Sequence, residues 1–102
     1  MPCSARVTND GSLVHITVKV ARFDLHSHKA FRDCYRNENP KAAYTIDLSA
    51  AEYIDSSALG MLLLLREFAG GERANITFIG CNEHLRKIFE VTNFYKLFNF
   101  IK

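Results

Sequence analysis

Asp55, Ser56 and Ser57 are the residues of this chain whose types and spacing offer chemistry. A serine hydroxyl beside a carboxylate has three uses: nucleophile, phosphate acceptor, or cap on the free N–H groups of a helix start. A nucleophile needs a general base, and the strained turn that presents it in serine hydrolases reads G-x-S-x-G. The sequence here is I-D-S-S-A. His15 and His84 are candidate bases, but nothing in the sequence brings either to Ser56, so an enzyme is not expected. Capping contributes ~1 kcal/mol and needs only one of the three polar residues. A hydroxyl is then left for phosphorylation, which adds about −1.5 to −2 charge.

Other constellations carry less. His26 and His28 are two apart at the start of a predicted helix, so their side chains diverge. No CxxC pair or carboxylate cluster joins them, and no metal is expected. There is no P-loop, so no cofactor is expected and any ATP would be carried by a partner.

The helix after Ser57 sharpens the reading. Ala58, Leu59, Met61, Leu62, Leu63, Leu64 and Leu65 leave little polar face in its first two turns. A helix apolar nearly all round is buried on both sides or exposes an apolar patch. A small domain covers such a helix with difficulty, and an exposed patch marks a protein interface. Met61 suits an adaptable contact, and Met61 and Leu64, three apart, are expected on one partner-facing side. Gly60 costs ~1 kcal/mol relative to Ala and implies close approach of the sheet or of a partner. A charge added at Ser56 would be tolerated by the helix start, yet a partner pressed on Leu59 and Met61 would have to desolvate it beside Asp55.

The remaining elements position this segment. Val7 opens a hairpin turned at Asp10-Gly11, and Val14, Ile16, Val18 and Val20 alternate with polar residues in a second strand. Ser27 is read as the N-cap of a helix to Tyr35, with Ala30, Phe31, Cys34 and Tyr35 on one side. Tyr44, Ile46 and Leu48 alternate in a third strand. Residues 49–57 read as a loop, and the central helix runs from Ser57 to Ala69, ending at Gly70-Gly71. Ile76, Phe78 and Ile79 form a fourth strand, Asn82 to Val91 a helix with Leu85, Ile88 and Phe89 inward, and Tyr95–Ile101 an edge strand. Interleaved strands and helices predict an α/β fold: one domain over 1–102, a mixed, partly parallel sheet of four to five strands with helices packed on it.

Bulk properties agree. A chain of 102 residues, 48% hydrophobic and 24% charged, can bury one core. A net charge of +2 from scattered residues shows no nucleic-acid stripe. The longest apolar run is too short to span a membrane, which takes ~20 residues, so no insertion is expected. Three widely spaced cysteines and no export pattern point to reduced thiols and a cytoplasmic location.

The sequence resembles a STAS domain of the anti-sigma factor antagonist family along nearly its whole length. The most specific part is D-S-S-x-L-G at Asp55–Gly60, after the strand Tyr44–Leu48. Arg22-Phe23-Asp24 resembles the family's G-x-[hydrophobic]-D element, and Leu85–Phe89 with Thr92–Phe94 its late helix and turn. The resemblance implies that Ser56 is phosphorylated by a serine-kinase anti-sigma factor and restored by a serine phosphatase. It implies that Asp24 lies near the site, with Asp55, Ser57, Ala58, Leu59, Met61 and Leu64 meeting the partner. The unphosphorylated form would bind and sequester that partner. The sequence departs from the family where Ala58 and Ala21 replace glycines; Ala58 is then expected to bear on partner choice. STAS proteins also serve as constitutive subunits of membrane transport complexes and as regulators of polysaccharide and biofilm formation.

Overall fold

Alternating β-branched and aromatic residues build a sheet whose two faces differ completely. A computed structural model describes residues 1–101. Its strands are β1 (Cys3–Thr8), β2 (Leu13–Val18), β3 (Arg22–Phe23), β4 (Ala43–Asp47), β5 (Tyr53–Ile54), β6 (Ile76–Ile79) and β7 (Asn99–Ile101). Its α-helices are α1 (His28–Asp33), α2 (Ser56–Phe68) and α3 (Glu83–Val91). Five strands form one sheet in the order β1-β2-β4-β6-β7; β1 is antiparallel to β2 and the other pairs are parallel. One face carries Val14, Ile16, Val18, Tyr44, Ile46, Leu48, Ile76 and Phe78, all buried in the core with residues of the three helices. The other carries Leu13, His15, Thr17, Ala43, Thr45, Asp47, Thr77 and Ile79, each only half-buried. Parallel sheets are usually covered on both faces; this one is covered on one, and its open face stays polar through threonines and a His15–Asp47 pair at 4.0 Å.

Several elements depart from the sequence reading. The strand containing Val7 is six residues long and begins at Cys3, while Val20 lies beyond β2. Ser27 is buried and makes no side-chain cap. Asp24 does that work instead, its carboxylate accepting from His26 N at 3.0 Å at the start of a 3-10 turn over Leu25–Ser27. The segment read as a loop contains β5, which pairs in parallel with β3 as a two-stranded ribbon. The C-terminal strand is an edge strand but covers only Asn99–Ile101. It is held by aromatic packing: Phe78 lies 4.6 Å from Phe98 and 5.0 Å from Phe100, and Phe94 stacks 5.1 Å from Phe98.

Gly80 is required by the crossing after β6. Its φ is +76, and a Cβ there would overlap Ser49 Oγ and stand 2.9 Å from Ser49 N. The three cysteines are free. Burial pushes the Cys3 thiol up to about 12, with Cys34 adding to it, and the Cys81 thiol up to about 11. Both are therefore poor nucleophiles.

Candidate functional site

The ribbon of β3 and β5 sets the geometry around Ser56. Its register pairs Arg22 with Tyr53 and Phe23 with Ile54, and Asp55 N donates to Phe23 O at 3.4 Å. Phe23 and Ile54 turn into the core. Backbone remains extended at Asp24 and Asp55. Strand alternation therefore puts Arg22, Asp24, Tyr53 and Asp55 on the outer face. Two carboxylates flank the entrance to α2, and each is already engaged, Asp24 with His26 N and Asp55 with Ala58 N at 2.9 Å.

Asp55 is the N-cap of α2. The helix accordingly starts at Ser56, one residue earlier than the sequence suggested, and Ser57 is its second residue. The ranking of Asp and Ser as caps is nearly equal, so position decides: Asp55 has the extended backbone a cap requires. Ser56 is thereby released from structural duty and exposed, while Ser57 is half-buried. Leucine-rich composition favours the helix, and Gly70 closes it in the left-handed conformation at φ 113.

The faces of α2 separate the candidate contact residues. Ala58, Met61, Leu62 and Leu65 are buried, Met61 at 4% exposure. Ala58 and Met61 thus leave the contact set: their side chains fill the core, and Ala58 has no surface with which to bear on partner choice. Leu64 is 54% exposed and Leu63 39%, so Met61 and Leu64 do not share a side. Leu59 is partly buried against the core. The outward stripe runs Ser56, Gly60, Leu63, Glu67, with Leu64 beside it.

Gly60 has no neighbour within 4 Å of where a Cβ would stand. Close approach of the sheet, one of the two reasons expected for it, is therefore absent. Gly60→Ala should stabilise the domain by up to about 1 kcal/mol, raising the melting temperature, because the helix gains propensity and nothing is displaced. A lower melting temperature would show an internal constraint the packing does not reveal.

Three of the four histidines have defined neighbours, and His28 opens α1. His15 lies on the open sheet face beside Asp47. His26 Nδ1 sits 3.2 Å from Asp24 Oδ1. His84 stacks on Tyr53 at 6.0 Å between ring centroids, and the Arg22 guanidinium lies 5.0 Å from the same ring. Sequence reading missed this Arg22–Tyr53–His84 stack, because two-residue strands leave no periodicity to read. Among the described residues, no group of three or more His, Cys, Asp or Glu converges as a metal site, and no helix is long and apolar enough to cross a membrane.

The family model described as MlaB, STAS domain, matches residues 7–99. The chain belongs to the STAS-domain family. It is 46% identical over 99 residues to a STAS-domain containing protein of Pseudomonas aeruginosa, spanning 96% of this chain and 97% of that one. Its fold is similar to that of Bacillus SpoIIAA, an anti-sigma factor antagonist solved in unphosphorylated and phosphorylated forms. The TM-scores are 0.71 and 0.70 at 12% identity, covering 98% of this chain and 87% and 91% of those chains. An anti-sigma factor antagonist from Mycobacterium paratuberculosis is similar at TM-score 0.72 and 20% identity, over 96% of this chain and 84% of that one. The STAS fold expected from Asp55–Gly60 is thus the fold the chain adopts.

Proposed function

We propose that this STAS domain is a phosphorylation-controlled binding switch of the anti-sigma factor antagonist type. One observation carries the reading: Asp55 takes the cap, which leaves Ser56 exposed at the head of a stripe with two exposed leucines. The unphosphorylated form binds and sequesters an anti-sigma factor or serine kinase through Leu63, Leu64 and the flat spot at Gly60, with Leu59 and Ser57 at its margin. Phosphate on Ser56 releases it, and a serine phosphatase resets it. Asp24 and Asp55 shape the acceptor site through their caps. Such a switch works in the cytoplasm on other proteins, with no catalytic chemistry of its own. That a protein of similar fold, SpoIIAA, exists in a phosphorylated form supports the same use of the fold here. The STAS match is equally compatible with a second reading, a constitutive subunit of a membrane transport complex that uses the same stripe without modification.

Peptide mapping of the protein isolated from its native cells separates the two. The switch gives a mixed population with and without about 80 Da on Ser56. Phosphate on Ser57 alone, or on neither serine, removes the assignment.

A further inference from the structure

Among the described residues, Arg22 is a cation without a carboxylate partner. Its strand partner is Tyr53, and its guanidinium lies over the Tyr53 ring. Tyr53 is in turn stacked on His84 of α3. Arg22 itself is exposed, and among the described residues no carboxylate lies within ion-pair distance of it. Glu52, one residue before Tyr53, is exposed and makes no ion pair with Arg22; Asp24 and Asp55, two positions along the ribbon, each point a carboxylate oxygen at a backbone N–H of the turn or helix that each one caps. The charged and titratable groups around this surface are therefore Arg22, Asp24, His26, Glu52, Asp55 and His84.

Ser56 opens α2 three residues beyond the register partner of Arg22, joined to the ribbon through the extended backbone of Asp55. Strand rise and spacing put the two Cα atoms on the order of 11 Å apart. An extended arginine and a phosphoserine bridge that gap between them. Resting on the reading of Ser56 as a phosphate acceptor, we propose that Arg22 is the intramolecular receiver of that phosphate. In the unmodified protein it is parked on Tyr53; in the phosphorylated protein it swings along the ribbon and pairs with the phosphate.

The order of strengths drives the swing. An exposed cation–π contact is among the weaker attractions in a protein. A charge-assisted pair of guanidinium and phosphate is stronger and is often bidentate. The movement bares one face of Tyr53 and covers Ser56, so the modification redraws the surface from Ser56 to the edge of α3. A partner therefore meets a changed patch as well as a changed charge.

The test needs no partner and no kinase. Phosphoserine is installed at position 56 through an expanded genetic code, in the wild-type chain and with Arg22→Gln. The second ionisation of the phosphate is followed by phosphorus NMR. It should lie lower with Arg22 present, because a cation beside the phosphate favours its doubly charged form. The Arg22 side-chain protons, shifted by the Tyr53 ring in the unmodified protein, should lose that shift on phosphorylation. Equal ionisation in both chains, or an Arg22 shift that phosphorylation does not move, overturns the proposal. Because the phosphate is installed synthetically, either result leaves the cellular mapping of Ser56 as a separate question. Melting curves confirm that Arg22→Gln is folded, as expected for an exposed residue.

Discussion

Met61→Asp should abolish the folded state, whereas Leu64→Asp should fold normally and fail to bind. The two residues are three apart on α2, yet Met61 is 4% exposed and Leu64 54%. Removing a buried methionine side chain costs ~2–5 kcal/mol, and an unpaired buried carboxylate adds several more. A domain of this size has only about 5–15 kcal/mol of stability in total. Leu64→Asp touches no core contact and should change stability by no more than about 0.5 kcal/mol. In a dry interface the same change costs more than about 2 kcal/mol of binding. Thermal melts of both variants, with titration of folded Leu64→Asp against the purified partner, decide the matter. A folded Met61→Asp would contradict the packing of α2. Undiminished binding by Leu64→Asp would move the interface off this helix.

Ser56→Ala should bind its partner constitutively, and Ser56→Asp should lose affinity by about 100-fold or more. A carboxylate at position 56 stands next to Asp55, whose own carboxylate is fixed by the Ala58 N–H bond and cannot turn away. Like charges at ~4 Å repel by ~1 kcal/mol in water and by ~4 kcal/mol at an effective dielectric constant of about 20. Docking Leu63 and Leu64 against an apolar surface moves the pair toward the second regime. Salt should restore only part of the affinity, since a buried pair is poorly screened. The isolated domain should melt at nearly the same temperature, because negative charge in the first turn of a helix is favourable by about 0.3–1 kcal/mol. Calorimetric titration of both variants reads the difference. Equal affinity of two folded variants would favour the constitutive transport-complex reading.

How much of this was legible in the sequence depended on local redundancy. Val14, Ile16 and Val18 announce their strand because period two over β-branched residues has one physical meaning. Asp55–Gly60 announced the helix start and the family because polar residues, a cap position and the family block coincide there. The face of α2 was not legible: a helix apolar on every side has no period that says which leucine faces the core. Met61 was accordingly misplaced, and only packing against the sheet and α1 resolves it. The choice of cap between Asp55 and Ser57 was equally open, because both residue types cap well and the deciding quantity is backbone conformation. The β3–β5 ribbon was invisible, since Phe23 and Ile54 are single inward residues in two-residue strands. The Arg22–Tyr53–His84 stack depends on that ribbon and was lost with it.

The order β1-β2-β4-β6-β7 has a consequence for how the chain is made. Within the main sheet, each strand pairs with the one synthesised just before it, and no later strand is inserted between two earlier ones. A chain leaving the ribosome therefore always has its template ready: the hairpin first, then one strand and one helix at a time along a single growing edge. Vectorial assembly keeps each loop closure short in sequence, which favours speed, and confines growth to one edge, the outer edge of β1 staying as it was laid down. The last strand added is only three residues long, so the nascent protein has laid down α2, its exposed Ser56 included, before its sheet is finished.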